Sequence, residues 1–390
     1  MVSPRMITFF LFLTIMHHGE SVSTVPVSKP HGLESSSTGG LLQDNGVRAA
    51  YWPSFTGYPA SSIDTSYFSH VYYAFVLPSP TTYELDITSY DVDKLLEFTN
   101  ATGGWNPPAK TVLSIGGGGG GSLPETFSQM ASQEYSRASF INSTIKVARD
   151  YEFDGIDLDW ELPSNESDMS NLGLLFREWR EALEYEANET VRPRLILTSA
   201  IYYASIISFD GPPRSYPIQA ISQYVDWISP MCFGYHGNWE NFTGSHSALY
   251  DPSTNLSTDF GIGSWIRAGV PPEKIVMGLA AYGPTWSLQN PNANTIGAAT
   301  TGTGPGGGIL VYSQVIDFNQ ANNATVVFDN ISISYYSYSG DSWISYDDVG
   351  SIESKVHYAR ARTLAGYFFW ALGQDSDWVI SSAASQAWSN

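Results

Sequence analysis

The residues Asp154-Gly155-Ile156-Asp157-Leu158-Asp159-Trp160-Glu161 carry the chemistry most readily seen in this chain. Read as a β-strand, the stretch alternates between two faces, with Asp157, Asp159 and Glu161 on one and Ile156, Leu158 and Trp160 on the other. Carboxylates buried without partners are too costly for a core, so the acidic face must line a cavity, a ligand or a metal. Same-face neighbours stand roughly 7 Å apart along a strand. At that spacing mutual repulsion drives at least one of the three to hold a proton near neutral pH. An acid kept protonated beside carboxylates that are not is what cleavage of a glycosidic bond requires. Two other readings are a solvated edge strand, against which Ile156, Leu158 and Trp160 argue, and a calcium or magnesium site of acidic oxygens. Asp154 falls on the opposite parity and is expected to close a turn at the strand entrance.

The D-x-x-D-x-D-x-E pattern, complete from Asp154 to Glu161, resembles the catalytic strand of the family-18 glycoside hydrolases, and within them the plant class V chitinases. The resemblance runs from about Val47 to the end of the chain. It implies a hydrolase of β-1,4-linked N-acetylglucosamine polymers or oligomers that works with retention of configuration. In such enzymes the substrate's own N-acetyl oxygen replaces an enzyme nucleophile, an exception to the two-carboxylate scheme. Asp159 is then expected to orient the N-acetyl group, and Asp157 to share a proton with Asp159. Ser114, in Ser114-Ile115-Gly116-Gly117, matches the family's S-x-G-G motif and is expected to reach toward the aspartates. Tyr51 matches a tyrosine that contacts them, and Trp370 a tryptophan that floors the sugar before the cleaved bond; each also reads as an ordinary core aromatic.

The strand must be positioned by something. From Val47 onward short apolar runs alternate with helical periodicity, which argues for βα units and a parallel sheet. Eight strands are expected: Val47–Trp52, His70–Val76, Thr111–Ile115, Gly155–Trp160, Arg194–Tyr202, Trp227–Phe233, Ile275–Ala281 and Gly366–Ala371. One helix, spaced Leu172, Leu175, Phe176, Trp179, Leu183, follows the acidic strand; another, with Phe140, Ile141, Ile145 and Ala148, precedes it. The expected fold is α/β, a TIM (β/α)8 barrel, with a doubly wound sheet as the alternative. The barrel would occupy 47–286 and 343–390. The span 287–342, too long for a simple connection, holds a Gly-rich loop (Gly297 to Gly308) and the β-like runs Thr325–Phe328 and Ile331–Tyr338. It is expected to form a small α+β insertion between strands seven and eight. Catalytic residues of such barrels sit at the carboxyl ends of strands, which makes Glu161 the expected proton donor.

The chain departs from the resemblance along strand six. Met231-Cys232-Phe233-Gly234-Tyr235 stands against a family pattern M-x-Y-D. Met231 matches, Phe233 lacks the hydroxyl that would hold the N-acetyl oxygen, and Gly234 lacks the carboxylate that shapes the sugar. Tyr235 is the nearest hydroxyl that could substitute. Tyr282-Gly283-Pro284 replaces Y-G-R, so an arginine is missing too; the lost Asp and Arg carry opposite charges, and losing both strands neither. A chitin-oligosaccharide-binding lectin on the same scaffold is therefore the alternative function.

Composition narrows the partners. Eighteen basic against 38 acidic residues among 390 give a net charge of −20, which repels nucleic acid and anionic membranes and is indifferent to a neutral polysaccharide. Twelve Trp and 24 Tyr suit sugar stacking as well as cores. His70, His236, His246 and His357 show no ligand spacing, so neither metal nor cofactor is expected. Six glycines, Gly116 to Gly121, lack the Lys-Ser or Lys-Thr of a phosphate loop, and no G-x-S-x-G occurs. Cys232 is the single cysteine. Arg5, the apolar run Met6 to Met16 and the small residues Ser21-Val22-Ser23 read as a secretory signal peptide over 1–23, followed by a flexible Ser/Gly/Pro leader over 24–46. N-x-S/T sequons at Asn100, Asn142, Asn165, Asn188, Asn241, Asn255, Asn323 and Asn330 agree with an extracellular glycoprotein, expected to act as a monomer.

Overall fold

The computed structural model describes residues 46–119 and 124–390. The expected signal peptide, all of the leader but Gly46, and Gly120 and Gly121 of the glycine run lie outside the described residues.

Eight parallel strands form one sheet: β1 (Val47–Pro53), β2 (His70–Val76), β3 (Lys110–Gly116), β4 (Gly155–Asp159), β5 (Ile196–Ile201), β6 (Trp227–Pro230), β7 (Val276–Ala280) and β8 (Gly366–Trp370). Their order, β6-β5-β4-β3-β2-β1-β8-β7, leaves β6 and β7 at the two ends, and a parallel bridge between Ile228 and Ile275 joins them. That bridge separates a TIM barrel from a doubly wound sheet. The helices are α1 (Ser89–Thr102), α2 (Pro124–Ser132), α3 (Glu134–Asp150), α4 (Glu166–Thr190), α5 (Ile218–Tyr224), α6 (Thr258–Ala268), α7 (Tyr312–Ala321), α8 (Val349–Ala361) and α9 (Val379–Ser389).

The helix after the acidic strand shows why these residues fold as they do. Asn165 caps α4 by accepting a hydrogen bond from the Asp168 amide, Glu166 and Asp168 sit in the positive first turn, and Val191 closes the helix at φ 56°. Its Leu172, Leu175, Phe176, Trp179 and Leu183 are buried on one stripe. Ile156, Leu158 and Trp160, the outward half of β4 and its continuation, belong to the same apolar cluster. Each such buried side chain stabilises by about 1.5–3 kcal/mol. The outward face of β4 is thereby fixed in the layer between barrel and helices, and the acidic face has no choice but the barrel interior.

The eight expected strands all form; His70–Val76 keeps its expected ends and the other seven shift at one end or both. Strand six stops at Pro230, three residues short of the expected Phe233. The added lobe also begins earlier than 287: its six-stranded sheet starts with Tyr282–Leu288 and ends with Ser342–Tyr346. Ile331 to Ile333, expected as strand, form the turn between the strands Thr325–Asp329 and Ser334–Ser339, with Ile333 at φ 52°.

The lobe is fastened to the barrel by a buried ion pair. Lys355 of α8 donates to both carboxylate oxygens of Asp347, each at 2.6 Å, and to the Ser247 carbonyl at 2.5 Å. Burial pulls the Lys355 ammonium below its ordinary range, and Asp347 opposes that. Removing one partner of such a pair leaves the other charge buried and alone, at about 3–5 kcal/mol. Lys355→Met should therefore cost about that much in denaturant unfolding. The double variant with Asp347→Asn should cost less than the two single losses added together.

Candidate active site

β4 lies between β3 and β5, with Ser114 in register with Asp157 on one side and Thr198 in register with it on the other. All three point into the barrel. Asp157 is fully buried. It accepts hydrogen bonds from Ser114 Oγ at 2.7 Å, Thr198 Oγ1 at 2.6 Å and the Tyr51 hydroxyl at 3.0 Å. Burial pushes its pKa upward, and these donors pull it back. Asp157 is thus the member of the row best able to keep its charge.

Asp159 is buried as well, but its Oδ1 has no hydrogen-bond partner among the described residues. Burial, then Glu161, then Asp157 hold its carboxyl well above the ordinary range. Glu161 stands just past the end of β4, half-buried, and loss of solvent pushes its carboxyl up to about 7; the Gly118 backbone N–H works against that rise. A carboxylic acid with that pKa is a proton donor at neutral pH. The unpartnered oxygen of Asp159 beside it is an acceptor kept ready for a ligand N–H or O–H.

Backbone from the β3–α2 connection comes unusually close. Gly116 takes φ 116°, and a Cβ there would stand 2.0 Å from the Asp159 carbonyl oxygen. A Cβ at Gly118 would stand 2.9 Å from Glu161 Oε1. Side chains at these two positions would push the row apart.

The pocket above the row is lined by Tyr51, Gly118, Asp159, Glu161, Ala200, Met231, Phe233, Phe368 and Trp370. Trp370 ends β8 and stacks on Phe75, with ring centroids 5.6 Å apart and planes 20° from parallel. Tyr51 meets its ring at 5.6 Å. Of the residues expected from the sequence, Tyr51, Asp159, Glu161, Met231 and Trp370 line this pocket, and Ser114 and Asp157 lie immediately beneath it.

Tyr235 is elsewhere. Its side chain is buried with Tyr203, Ala204 and Ala248, and its hydroxyl lies 3.0 Å from Thr258 Oγ1. Strand alternation ends at Pro230, so the chain from Phe233 to Tyr235 does not run as a strand. The Cys232 and Phe233 amides turn back onto the carbonyls two residues before them, and Gly234 reverses the chain at φ 73°. No hydroxyl from that position replaces the one absent at Phe233. The Gly234 Cα faces open space, and Pro284 sits buried in a strand paired with Ile309. The pocket's lining from this stretch is therefore Met231 and Phe233, both apolar, where the resemblance implied a hydroxyl at 233.

Several residues of the site were not anticipated. Thr198, Ala200 and Phe368 follow from strand parity once strand ends are known. Gly118 and Phe75 carry no sequence signal of their own. Among the described residues no group of three or more His, Cys, Asp or Glu is arranged to hold a metal ion. An open cleft of about 540 Å³ at the start of α4 is larger than the pocket, but none of the acidic row lines it.

Similarity to known proteins agrees with this geometry. The family model of the glycosyl hydrolases family 18 matches residues 47–375. The class V chitinase CHIT5 of Lotus japonicus is 53% identical over 345 residues, covering 88% of this chain and 86% of its own. A mutant of the class V chitinase of Nicotiana tobaccum, solved in complex with NAG4, superposes with a TM-score of 0.84 at 37% identity, over 88% of this chain and 99% of that one. A chitinase-like agglutinin from Robinia pseudoacacia superposes with a TM-score of 0.81, also at 37% identity and the same coverage. The chain belongs to the glycosyl hydrolases family 18.

Proposed function

We propose that this protein hydrolyses β-1,4-linked N-acetylglucosamine oligomers or polymers outside the cell, with Glu161 as general acid and the substrate's acetamido oxygen as nucleophile. The observation that carries this reading is the state of the acidic row: Glu161 near neutrality, Asp159 with an unpartnered oxygen, Asp157 saturated with donors. A sugar seated on Trp370 gives its acetamido N–H to Asp159, which turns the acetamido carbonyl oxygen toward the anomeric carbon. Attack by that oxygen expels the leaving-group oxygen as Glu161 protonates it. Glu161, now a carboxylate, takes a proton from the water that reopens the cyclic intermediate, and the product keeps the starting configuration. An extracellular site is supported by the apolar amino-terminal run and by the eight sequon asparagines, every one of which is exposed.

A second reading, an oligosaccharide-binding protein with little turnover, is favoured by Phe233, Gly234 and Pro284. One preorganised donor aimed at developing charge is worth about 10²–10³ in turnover. The likeness to the Robinia agglutinin supports it as well. We place hydrolysis first because each of the three carboxylates occupies an environment suited to a different task, and a pure binding site needs none of them protonated.

Three outcomes are expected. Glu161→Gln should lower kcat on chitin hexamer, read as reducing ends, by about 10²–10⁴. It should still bind chitotriose in calorimetry. Equal and negligible release by both proteins, with binding intact, would establish the second reading instead. Turnover should also fall as pH rises through about 7: the raised pKa means that the acid form dominates below that value and is lost above it. A rate still rising at pH 8 would exclude Glu161 as the acid. Finally, Phe233→Tyr should raise turnover by up to about 10² by restoring a donor to the apolar wall.

A further inference from the structure

The loop that follows Glu161 is held from outside the acidic row. Leu162, Pro163 and Ser164 connect Glu161 to the cap of α4. Just before Glu161, Trp160 is buried and stacks on Phe127 of α2, with centroids 5.8 Å apart and planes 25° from parallel. Just after it, Arg214 donates from Nε to the Pro163 carbonyl at 2.5 Å. The next residue, Ser164, gives both its amide (2.8 Å) and its hydroxyl (2.7 Å) to Asp168, which also receives Ser128 Oγ at 2.8 Å.

Arg214 is an unusual residue to find here. It lies in a two-residue strand, Arg214–Ser215, paired with Ile206–Ile207 in the connection between β5 and α5. It is only 2% exposed. Its two Nη atoms bond to the two oxygens of Asp210 at 2.7 and 2.8 Å. A buried guanidinium is costly, and a bidentate carboxylate with one further acceptor is the arrangement that makes it tolerable. The pairing has a second consequence. Asp210 neutralises the guanidinium, so the clamp fixes the loop without placing an uncompensated positive charge near Glu161. The other groups that interact with Glu161 are Asp159 on β4, the Gly118 N–H, Tyr216 two residues after Arg214, and Tyr282 at the start of the added lobe.

We infer that Arg214 is a positioning residue for the general acid: its bond to the Pro163 carbonyl holds Glu161 in the mouth of the barrel and away from bulk water, and Asp210 keeps it electrically silent. The inference rests on the role proposed for Glu161. Without the clamp the loop relaxes outward, Glu161 gains water, and its carboxyl returns toward the ordinary glutamate range.

The test compares Arg214→Met and Arg214→Lys with Arg137→Met. Arg137 is a buried arginine that bonds Glu178 and the Ala131 carbonyl, between α3 and α4. For each folded variant, kcat, KM and the pH profile are measured on chitin hexamer. The Glu161 side-chain carboxyl is titrated by carbon NMR. Arg214→Met should lower kcat by about 10² with KM within about threefold, as expected when a catalytic group is misplaced by about an ångström. Its alkaline limb and the Glu161 titration should move down together by about one pH unit or more, a tenfold or greater change in proton affinity. Arg214→Lys should recover part of both, and Arg137→Met should move neither midpoint. A Glu161 midpoint unmoved in Arg214→Met would overturn the inference. If Arg214→Met does not fold, Arg214→Lys decides: its single ammonium cannot hold Asp210 and the Pro163 carbonyl together as the guanidinium does, so the Glu161 midpoint should still fall, and an unchanged midpoint counts against the clamp. If the unaltered protein proves not to hydrolyse, the function proposed above fails, and the carbon titration still judges the clamp by itself.

Discussion

Desolvation of one row of carboxyl groups governs this structure. Three acids spaced by two on β4 and its continuation cannot reach water through the outward face, because Ile156, Leu158 and Trp160 are committed to the layer of helices. They are turned into a barrel whose interior is otherwise built of Tyr51, Tyr72, Ala74, Val112 and Phe368. In such surroundings charge is expensive, and the row resolves the conflict by treating its members differently. Asp157 receives three hydroxyls, Asp159 keeps an empty oxygen, and Glu161 holds its proton to near neutrality. The functional reading is a consequence of that division.

The rest of the fold serves it. Flanking strands place Ser114 and Thr198 in register with Asp157, and β1 and β8 bring Tyr51 and Trp370 to the same opening. Glycines at 116 and 118 let a loop backbone press against the row without side chains intervening. Burying unsatisfied carboxyl groups lowers stability, and a site of this kind is expected to sacrifice some for activity. The surrounding structure compensates with the anchored lobe, the packed helix α4 and the charge-neutral clamp of Arg214 and Asp210.

Much of this was legible in the sequence, for identifiable reasons. Alternation on the acidic strand is a period-two signal in which polar and apolar residues could not be confused, and its direction follows from burial alone. Eight strands could be counted because β-branched and aromatic runs recur between helical stripes. Strand ends were less legible. Nothing in Pro230-Met231-Cys232-Phe233 announces that the ladder stops at Pro230, since Met, Cys and Phe would continue it comfortably, and where the Tyr235 hydroxyl points depends on that ending. Thr198 was hidden in a strand read for its apolar content. Arg214 was hidden more deeply, because its partner is a backbone carbonyl 51 residues away, and no side-chain pattern encodes that contact. The added lobe was visible as a length anomaly, but its boundary was not, because Tyr282–Leu288 reads equally well as the continuation of a barrel strand.

The central claim concerns protons, and neutron diffraction observes them directly. A deuterated crystal equilibrated at an acidity equivalent to about pH 6, below the value of about 7 reached by Glu161, should show nuclear density for a deuteron on a Glu161 carboxyl oxygen. Density showing Glu161 bare at that acidity would contradict the account at its root.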